Sequence, residues 1–199
     1  MMTKVDQQFD IKVLGLEEIE EIYMGPAVRH FPANERKPMK AIRRMYQAGA
    51  YEGLGLFEGE ALVAYALYVV APDGQNLLLD YYAVLEDHRG KGIGSIFLQR
   101  MSRWYADRQS ILLETEDVLL AADDKEKQLR SRRNDFYLRN GVRETRIHVS
   151  YCGADYQVFY LPIQEQKDEI RVLDALEQIY RVMFPDTYKE WVKIQTKSE

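Results

Sequence analysis

The segment LLLDYYAVLEDHRGKGIGSIFLQRM, Leu77 to Met101, constrains this chain more than any other. Leu77 to Leu85 is nearly continuous in apolar and aromatic residues, the pattern of a strand buried on both faces. A short polar turn, Glu86 to His88, follows, and then Arg89-Gly90-Lys91-Gly92-Ile93-Gly94. A helix is expected to begin near Gly92, because Ile93, Ile96, Phe97, Met101 and Trp104 recur at helical spacing. A strand that turns through alternating glycines into an amphipathic helix needs a sheet with a helix packed on it. It also makes an anion cradle. Glycines let backbone come close to a ligand. The N–H groups of the first helical turn, Ile93, Gly94 and Ser95, point at the same place, and the helix dipole favours negative charge there. Arg89 and Lys91 add positive charge.

The spacing excludes two common phosphate loops. A Walker loop needs Gly, four residues, then Gly-Lys-Ser/Thr, whereas Gly90 is followed by Gly94-Ser95. The dinucleotide fingerprint G-x-G-x-x-G also fails, since Gly90, Gly92 and Gly94 alternate.

The rest of the chain supplies strands and helices in mixed order. Ile11 to Leu14 reads as a strand and Glu17 to Tyr23 as a helix. Phe31-Pro32 and Lys37-Pro38 mark an irregular loop. Met39, Ile42, Met45 and Tyr46 are spaced for a helix. Gly53 to Glu58 and Ala61 to Val70 form a hairpin about Gly59-Glu60, and Pro72-Asp73-Gly74 is a turn. Ile111 to Glu116 is a strand, and Leu129 to Arg139 a helix closed by Asn140-Gly141. Val142 to Cys152 and Tyr156 to Leu161 pair about Gly153-Ala154-Asp155, with Cys152 placed in the core. From about Lys167 an amphipathic stretch (Ile170, Leu173, Leu176, Ile179, Tyr180, Met183) gives a helix, broken at Pro185, with a last short helix through Trp191. The fold class is α/β, a mixed α+β sheet with helices on its faces and an extra C-terminal helical segment.

The Arg89–Gly94 loop resembles the signature of the GNAT acetyltransferase superfamily, Arg/Gln-x-x-Gly-x-Gly/Ala, with Arg89, Gly92 and Gly94 at the fixed positions. Tyr82-Ala83-Val84 stands where the family presents strand backbone to pantetheine. Phe136-Tyr137-Leu138-Arg139-Asn140-Gly141-Val142 is similar to its second block. The resemblance spans roughly residues 10–162. It departs at Glu86, where Pro is common, and at Arg130, where Asn is common. The basic run Arg130, Arg132 and Arg133 reads either as contacts to a nucleotide phosphate or as a solvated helix face.

The resemblance implies a GNAT-like domain over 1–165; beyond it lies a helical extension over 166–199, whose apolar stripe must be buried on the domain, on a partner such as a second copy, or over the acceptor cleft. It implies an acyltransferase that takes acetyl from acetyl-CoA by direct attack of an amine. The cofactor would be held by Tyr82, Ala83, Val84, Arg89, Gly90, Lys91, Gly92, Ile93, Gly94 and Ser95. Tyr137 corresponds to the acid that protonates the leaving thiolate, and the Val84 N–H to the oxyanion donor. Asp80, a carboxylate in an apolar strand, is the candidate base; its alternative is a salt-bridge or loop-capping role. Glu35 and Glu114 are candidate acceptor contacts. A small-molecule amine is the expected acceptor. The alternatives are a protein or peptide amine, or a non-catalytic acyl-CoA-binding module.

Composition closes off other classes. With 27 basic and 32 acidic side chains the net charge is −5, a poor basis for nucleic-acid binding. No apolar run approaches the roughly 20 residues of a membrane span, and the first residues lack a secretory apolar stretch. A cytoplasmic location is therefore expected. One cysteine and the scattered His30, His88 and His148 give no metal-ligand spacing.

Overall fold

The computed structural model describes residues 8–33, 35–164 and 169–197. The start of the expected C-terminal extension, at 166–168, lies outside the described residues. The fold is mixed α/β, built among the described residues on an eight-stranded sheet in the spatial order Asp10–Val13, Tyr51–Glu58, Ala61–Val70, Asn76–Val84, Ser110–Glu116, Ala154–Pro162, Arg143–Tyr151 and Lys193–Thr196. The chain divides into two compact units, Met1–Val70 with Leu79–Tyr105, and Ala71–Leu78 with Ala106–Glu199.

The first unit holds β1 (Asp10–Val13), α1 (Leu16–Met24), α2 (Pro26–His30), α3 (Met39–Gln47), β2 (Tyr51–Glu58), β3 (Ala61–Val70), most of β4 (Asn76–Val84) and α4 (Ile93–Trp104). β1 pairs antiparallel with β2, and β2 with β3 about a turn where Gly59 has φ +61. On β2, Gly53 lets α1 settle closely: a Cβ there would lie 2.9 Å from Leu67 Cδ2 and 3.2 Å from Ile19 Cγ1. β3 is buried from Val63 to Val70, so apolar side chains leave water on both its faces. β4 is fully buried only over Asn76–Leu79 and then alternates, with Asp80, Tyr82 and Val84 on the less buried face. On α4 the buried residues are Ile93, Phe97, Leu98 and Met101. The expected stripe is thus rotated: Leu98 turns in, Ile96 is half-buried and Trp104 is exposed. α2 has no counterpart in the apolar pattern, although Gly25 followed by Pro26 at the first helical position is a start signal.

The second unit contains β5 (Ser110–Glu116), α5 (Asp124–Arg139), β6 (Arg143–Tyr151), β7 (Ala154–Pro162), α6 (Glu169–Met183), α7 (Tyr188–Trp191) and β8 (Lys193–Thr196). β5 pairs with β7, β7 with β6 and β6 with β8, all antiparallel. α5 starts earlier than the apolar pattern suggests, because Asp123 caps it by accepting from Glu126 N–H at 2.8 Å. The β6–β7 turn is Cys152-Gly153, with φ of 52° and 80°. Two positive φ values make a tight hairpin turn, usually signalled by Asn-Gly. Cys152 is exposed on that turn, not in the core. α6 buries Val172, Ala175, Leu176, Ile179, Tyr180 and Met183. Tyr180 and Phe184 pack on Tyr151 of β6, with ring centroids 5.5 and 5.6 Å away. The C-terminal helix therefore spends its apolar face on its own unit.

β8 escaped the sequence reading because KIQT carries no apolar alternation of useful length. It is fastened by Asp117, which accepts from His148 Nδ1 at 3.1 Å, Lys197 Nζ at 3.3 Å and Leu119 N–H at 2.9 Å. Burial pushes the Asp117 carboxyl up, but the Leu119 N–H and the Lys197 ammonium outweigh it, so its pKa lies below the ordinary value. A depressed carboxyl adds stability above its unfolded-state pKa and loses it as pH falls through the folded-state pKa. Asp117→Asn is accordingly expected to lower the melting temperature at neutral pH, with the gap to the natural chain closing below about pH 4. A gap that stayed constant with pH would show that the charge of Asp117 is not what fastens β8.

Among the described residues, no helix is long and apolar enough to cross a membrane.

Candidate active site

The glycine loop is set by β4 and α4 together. Tyr82 Oη donates to the Gly94 carbonyl at 2.6 Å, and its ring lies 5.7 Å from that of Phe97. Strand and helix are thereby tied on either side of the loop. The chain leaves β4 with Leu85 N–H on the Val63 carbonyl of β3 at 2.9 Å, then makes one tight turn over Glu86–His88. Gly90 and Gly92 both take the left-handed conformation, φ +76 and +77, and nothing lies within 4 Å of where a Cβ would stand on either. Gly92 is the N-cap of α4, no side chain caps the helix, and its first turn holds no acidic residue. The first peptide N–H to reach back is that of Ile96, to Gly92 O at 3.2 Å. An α-helix gives the N–H groups of Ile93, Gly94 and Ser95 no partner of its own. Arg89 Nε donates to Val84 O at 3.1 Å and Lys91 Nζ to Asp87 O at 2.9 Å, so both cations of the loop are held on backbone just before it. Donors, dipole and charge converge on an open space, the arrangement an anionic phosphate needs.

Asp80 belongs to the same unit, within a closed set of partners. Its side chain is 5% exposed and ion-paired with Lys37, itself 13% exposed. Tyr51 Oη donates to it at 2.9 Å. Burial raises the pKa of Tyr51, and the Asp80 charge raises it further, so the phenol stays a donor. The segment carrying Lys37 is stitched to β4 by Tyr81. Its hydroxyl accepts from Lys37 N–H at 2.9 Å and donates to the Glu35 carbonyl at 3.2 Å, while Tyr23 Oη donates to Lys37 O. Glu35 thus sits in a wall fixed to β4 through its backbone.

The second unit holds the remaining candidates. Tyr137, on α5, is half-buried, and burial pushes its hydroxyl up to about 12, against the opposing charge of Arg133. Glu114 accepts from Tyr151 Oη at 2.7 Å and from Tyr180 Oη, which joins β5 to β6 and α6. The basic run is mostly paired: Arg130 reaches Glu116 at 3.0 Å and Glu126 at 2.8 Å, and Arg133 reaches Glu116 at 3.4 Å, while Arg132 is exposed.

One contact of the first unit carried no usable sequence signal. His30 ends α2, and its ring stacks on Tyr65 of β3 with centroids 5.8 Å apart and planes at 16°. Only the tertiary fold brings them together. Among the described residues no group of three or more His, Cys, Asp or Glu is placed to hold a metal ion.

Residues 16–124 match the acetyltransferase (GNAT) family. No curated protein matches the sequence at a significant level. Solved structures share the fold. An acetyltransferase of the GNAT family from Bacteroides thetaiotaomicron is 15% identical, with 84% of this chain and 93% of that one covered at a TM-score of 0.63. The ribosomal-protein-alanine N-acetyltransferase of Escherichia coli is 20% identical, covering 80% and 97%, with a TM-score of 0.57. A mutant spermidine N-acetyltransferase from Vibrio cholerae is 12% identical, covering 79% and 95%, with a TM-score of 0.59. With its glycine loop set between β4 and α4 inside a family match that takes in more than half of its length, the chain belongs to the GNAT family of acetyltransferases, acyltransferases that use acetyl-CoA.

Proposed function

We propose that this chain transfers acetyl from acetyl-CoA to a primary amine of a small molecule, by direct attack of the amine on the thioester. The observation that carries the reading is the loop between β4 and α4. Its two left-handed glycines leave open space, its helix N-terminus is uncapped, and Arg89 and Lys91 flank it. In this reading the N–H groups over Gly90–Ser95 hold the pyrophosphate with Arg89 and Lys91. The backbone of Tyr82, Ala83 and Val84 receives the pantetheine arm, and the Val84 N–H faces the developing oxyanion. Residues 1–165 are read as the transferase domain and 166–199 as an addition packed onto it.

The thioester supplies an activated acetyl group, and the protein must supply proton management. An alkylammonium of pKa near 10.4 is almost wholly protonated at pH 7, and freeing its lone pair costs roughly 4–5 kcal/mol. Tyr137 is assigned as the acid for the leaving sulfur. Burial pushes the Tyr137 phenol up to about 12, so at neutral pH it carries its proton and can donate a hydrogen bond to the leaving sulfur. Tyr137→Phe should lower kcat about 10²-fold while acetyl-CoA affinity holds. Unchanged kcat would remove Tyr137 from the chemistry.

Fold alone does not choose the acceptor, since neighbours named for spermidine and for ribosomal proteins share it. A small amine is supported by the wall over Glu35–Lys37, which is hydrogen-bonded to β4 rather than open as a peptide channel would need. The net charge of −5 also suits a cationic acceptor. The test is an amine screen with thiol detection, run with polyamines, other small amines and lysine- or alanine-terminated peptides. Turnover confined to peptides would overturn the small-molecule reading. Acetyl-CoA binding with no turnover at all would make the chain a non-catalytic acyl-CoA-binding module.

A further inference from the structure

His30 combines features that packing alone does not explain. Its Nδ1 lies 2.9 Å from Tyr65 Oη. The ring is stacked on Tyr65, which is 0% exposed, and meets Phe31 edge-on at 6.5 Å. The imidazole is thus fixed in orientation by three contacts. Its Nε2 is buried and meets no hydrogen-bond partner among the described residues. Leaving a buried polar atom unpaired costs about 1–3 kcal/mol, so a structural histidine would be expected to pair both nitrogens.

Its place in the fold gives that atom a use. Tyr65 is two residues along β3 from Val63, whose carbonyl accepts from Leu85 N–H where β4 enters the glycine loop. His30 therefore sits against the strand pair that leads into the loop. We propose that His30 is the base of the transfer reaction, its Nε2 taking the proton of the acceptor amine while Tyr65 acts as the positioning residue on Nδ1. This rests on the acetyl-transfer reading above.

The step balances as follows. Nδ1–H donates to Tyr65 Oη, the tautomer that leaves a lone pair on Nε2. The amine nitrogen bonds to the thioester carbonyl carbon, and the carbon–sulfur bond breaks with its electron pair going to sulfur. The proton lost from nitrogen goes to Nε2, and sulfur gains one from the acid. The imidazolium then returns its proton to solvent, and the acid regains one from solvent. Amine and thioester have become amide and thiol. Because Nε2 is covered, the acceptor must displace that cover as it binds, which shields the proton transfer from bulk water.

The surrounding groups keep the base in its working form. Burial lowers the pKa of His30 most, Arg89 beyond β4 and Arg29 on its own helix lower it further, and Glu86 opposes them. Tyr65, from β3, is held neutral by burial, so it adds no charge. The imidazole is neutral at pH 7, as a base must be.

The experiment compares the natural chain with His30→Gln, which keeps a polar group facing Tyr65, and with Tyr65→Phe. For the natural chain, kcat should fall on the acid side with a midpoint below the ordinary imidazole value of about 6.5. In His30→Gln that limb should vanish and kcat should drop about 10²-fold or more. Calorimetry should show acetyl-CoA binding intact. In Tyr65→Phe the limb should survive at a shifted midpoint. The same shift should be visible in the His30 resonance by NMR titration, without any ligand. A His30→Gln protein that is folded, binds acetyl-CoA and keeps both its turnover and its acid limb overturns the proposal alone. A natural chain that does not bind acetyl-CoA overturns it together with the acetyl-transfer reading. An NMR midpoint unmoved by Tyr65→Phe overturns the role of Tyr65.

Discussion

Gly92→Glu is expected to lower acetyl-CoA affinity by at least about 100-fold, as measured by calorimetry, with the protein still folded. Two costs combine. Gly92 has φ +77, where an L side chain costs roughly 1–2 kcal/mol. No protein atom lies within 4 Å of the position its Cβ would take, so the first atom of the new side chain meets no neighbour. It enters the open space that the uncapped N–H groups of α4 face, and carries a negative charge there. A carboxylate at a helix N-terminus is itself favourable by about 0.3–1 kcal/mol. The variant should therefore stay folded while its own carboxylate competes with the pyrophosphate. Gly92→Asn separates the two costs, because Asn tolerates the left-handed region and is neutral. It should lose far less affinity than the Glu variant. Equal affinity in the natural chain and Gly92→Glu would mean that phosphate is not bound at this loop.

The loop was legible in sequence because its cause is local. Gly90 and Gly92 state the backbone conformations required, and Ile93, Phe97 and Met101 state which face of α4 is buried. The hairpin β2–β3 and the buried run of β3 were legible for the same reason. What failed was decided by distant partners or by unusual turn chemistry. Cys152-Gly153 makes a two-residue turn with a cysteine at positive φ, so the strand ends were misplaced by two residues or so. β8 exists because Ile147 to Ser150 of β6 offered an edge, which the four residues of KIQT do not announce. Tyr151 and Tyr180, which donate to Glu114 from 37 and 66 positions away, were not legible as its partners. The contact of His30 with Tyr65, 35 residues on, was likewise not legible. Side-chain chemistry is written in sequence, but pairing across the sheet is not.

Asp80→Asn should be the most destabilising single change near the site, by about 3–5 kcal/mol, or roughly 6–20 °C in melting temperature. The Asp80 carboxylate and the Lys37 ammonium are both largely withdrawn from water, at 5% and 13% exposure. Removing one partner leaves the other ion buried and uncompensated, which costs more than the pair itself is worth. The amide introduced by Asp80→Asn would still accept from Tyr51, so the loss would report the charge and not the hydroxyl. Adding Lys37→Met to Asp80→Asn should recover much of the stability, since both charges are then gone. A double-mutant cycle over these chains should give a coupling of about 0.5–3 kcal/mol. The kinetics decide what the pair is for. A carboxylate whose oxygens already accept from an ammonium and a phenol has little room for a further proton, and its partner Lys37 fixes the wall over Glu35–Lys37 against Tyr81. Asp80→Asn should therefore raise KM for the amine and leave the acid limb of the pH–rate profile in place. If the limb disappears instead, Asp80 is the base after all, and Lys37 is the group that an incoming ammonium displaces.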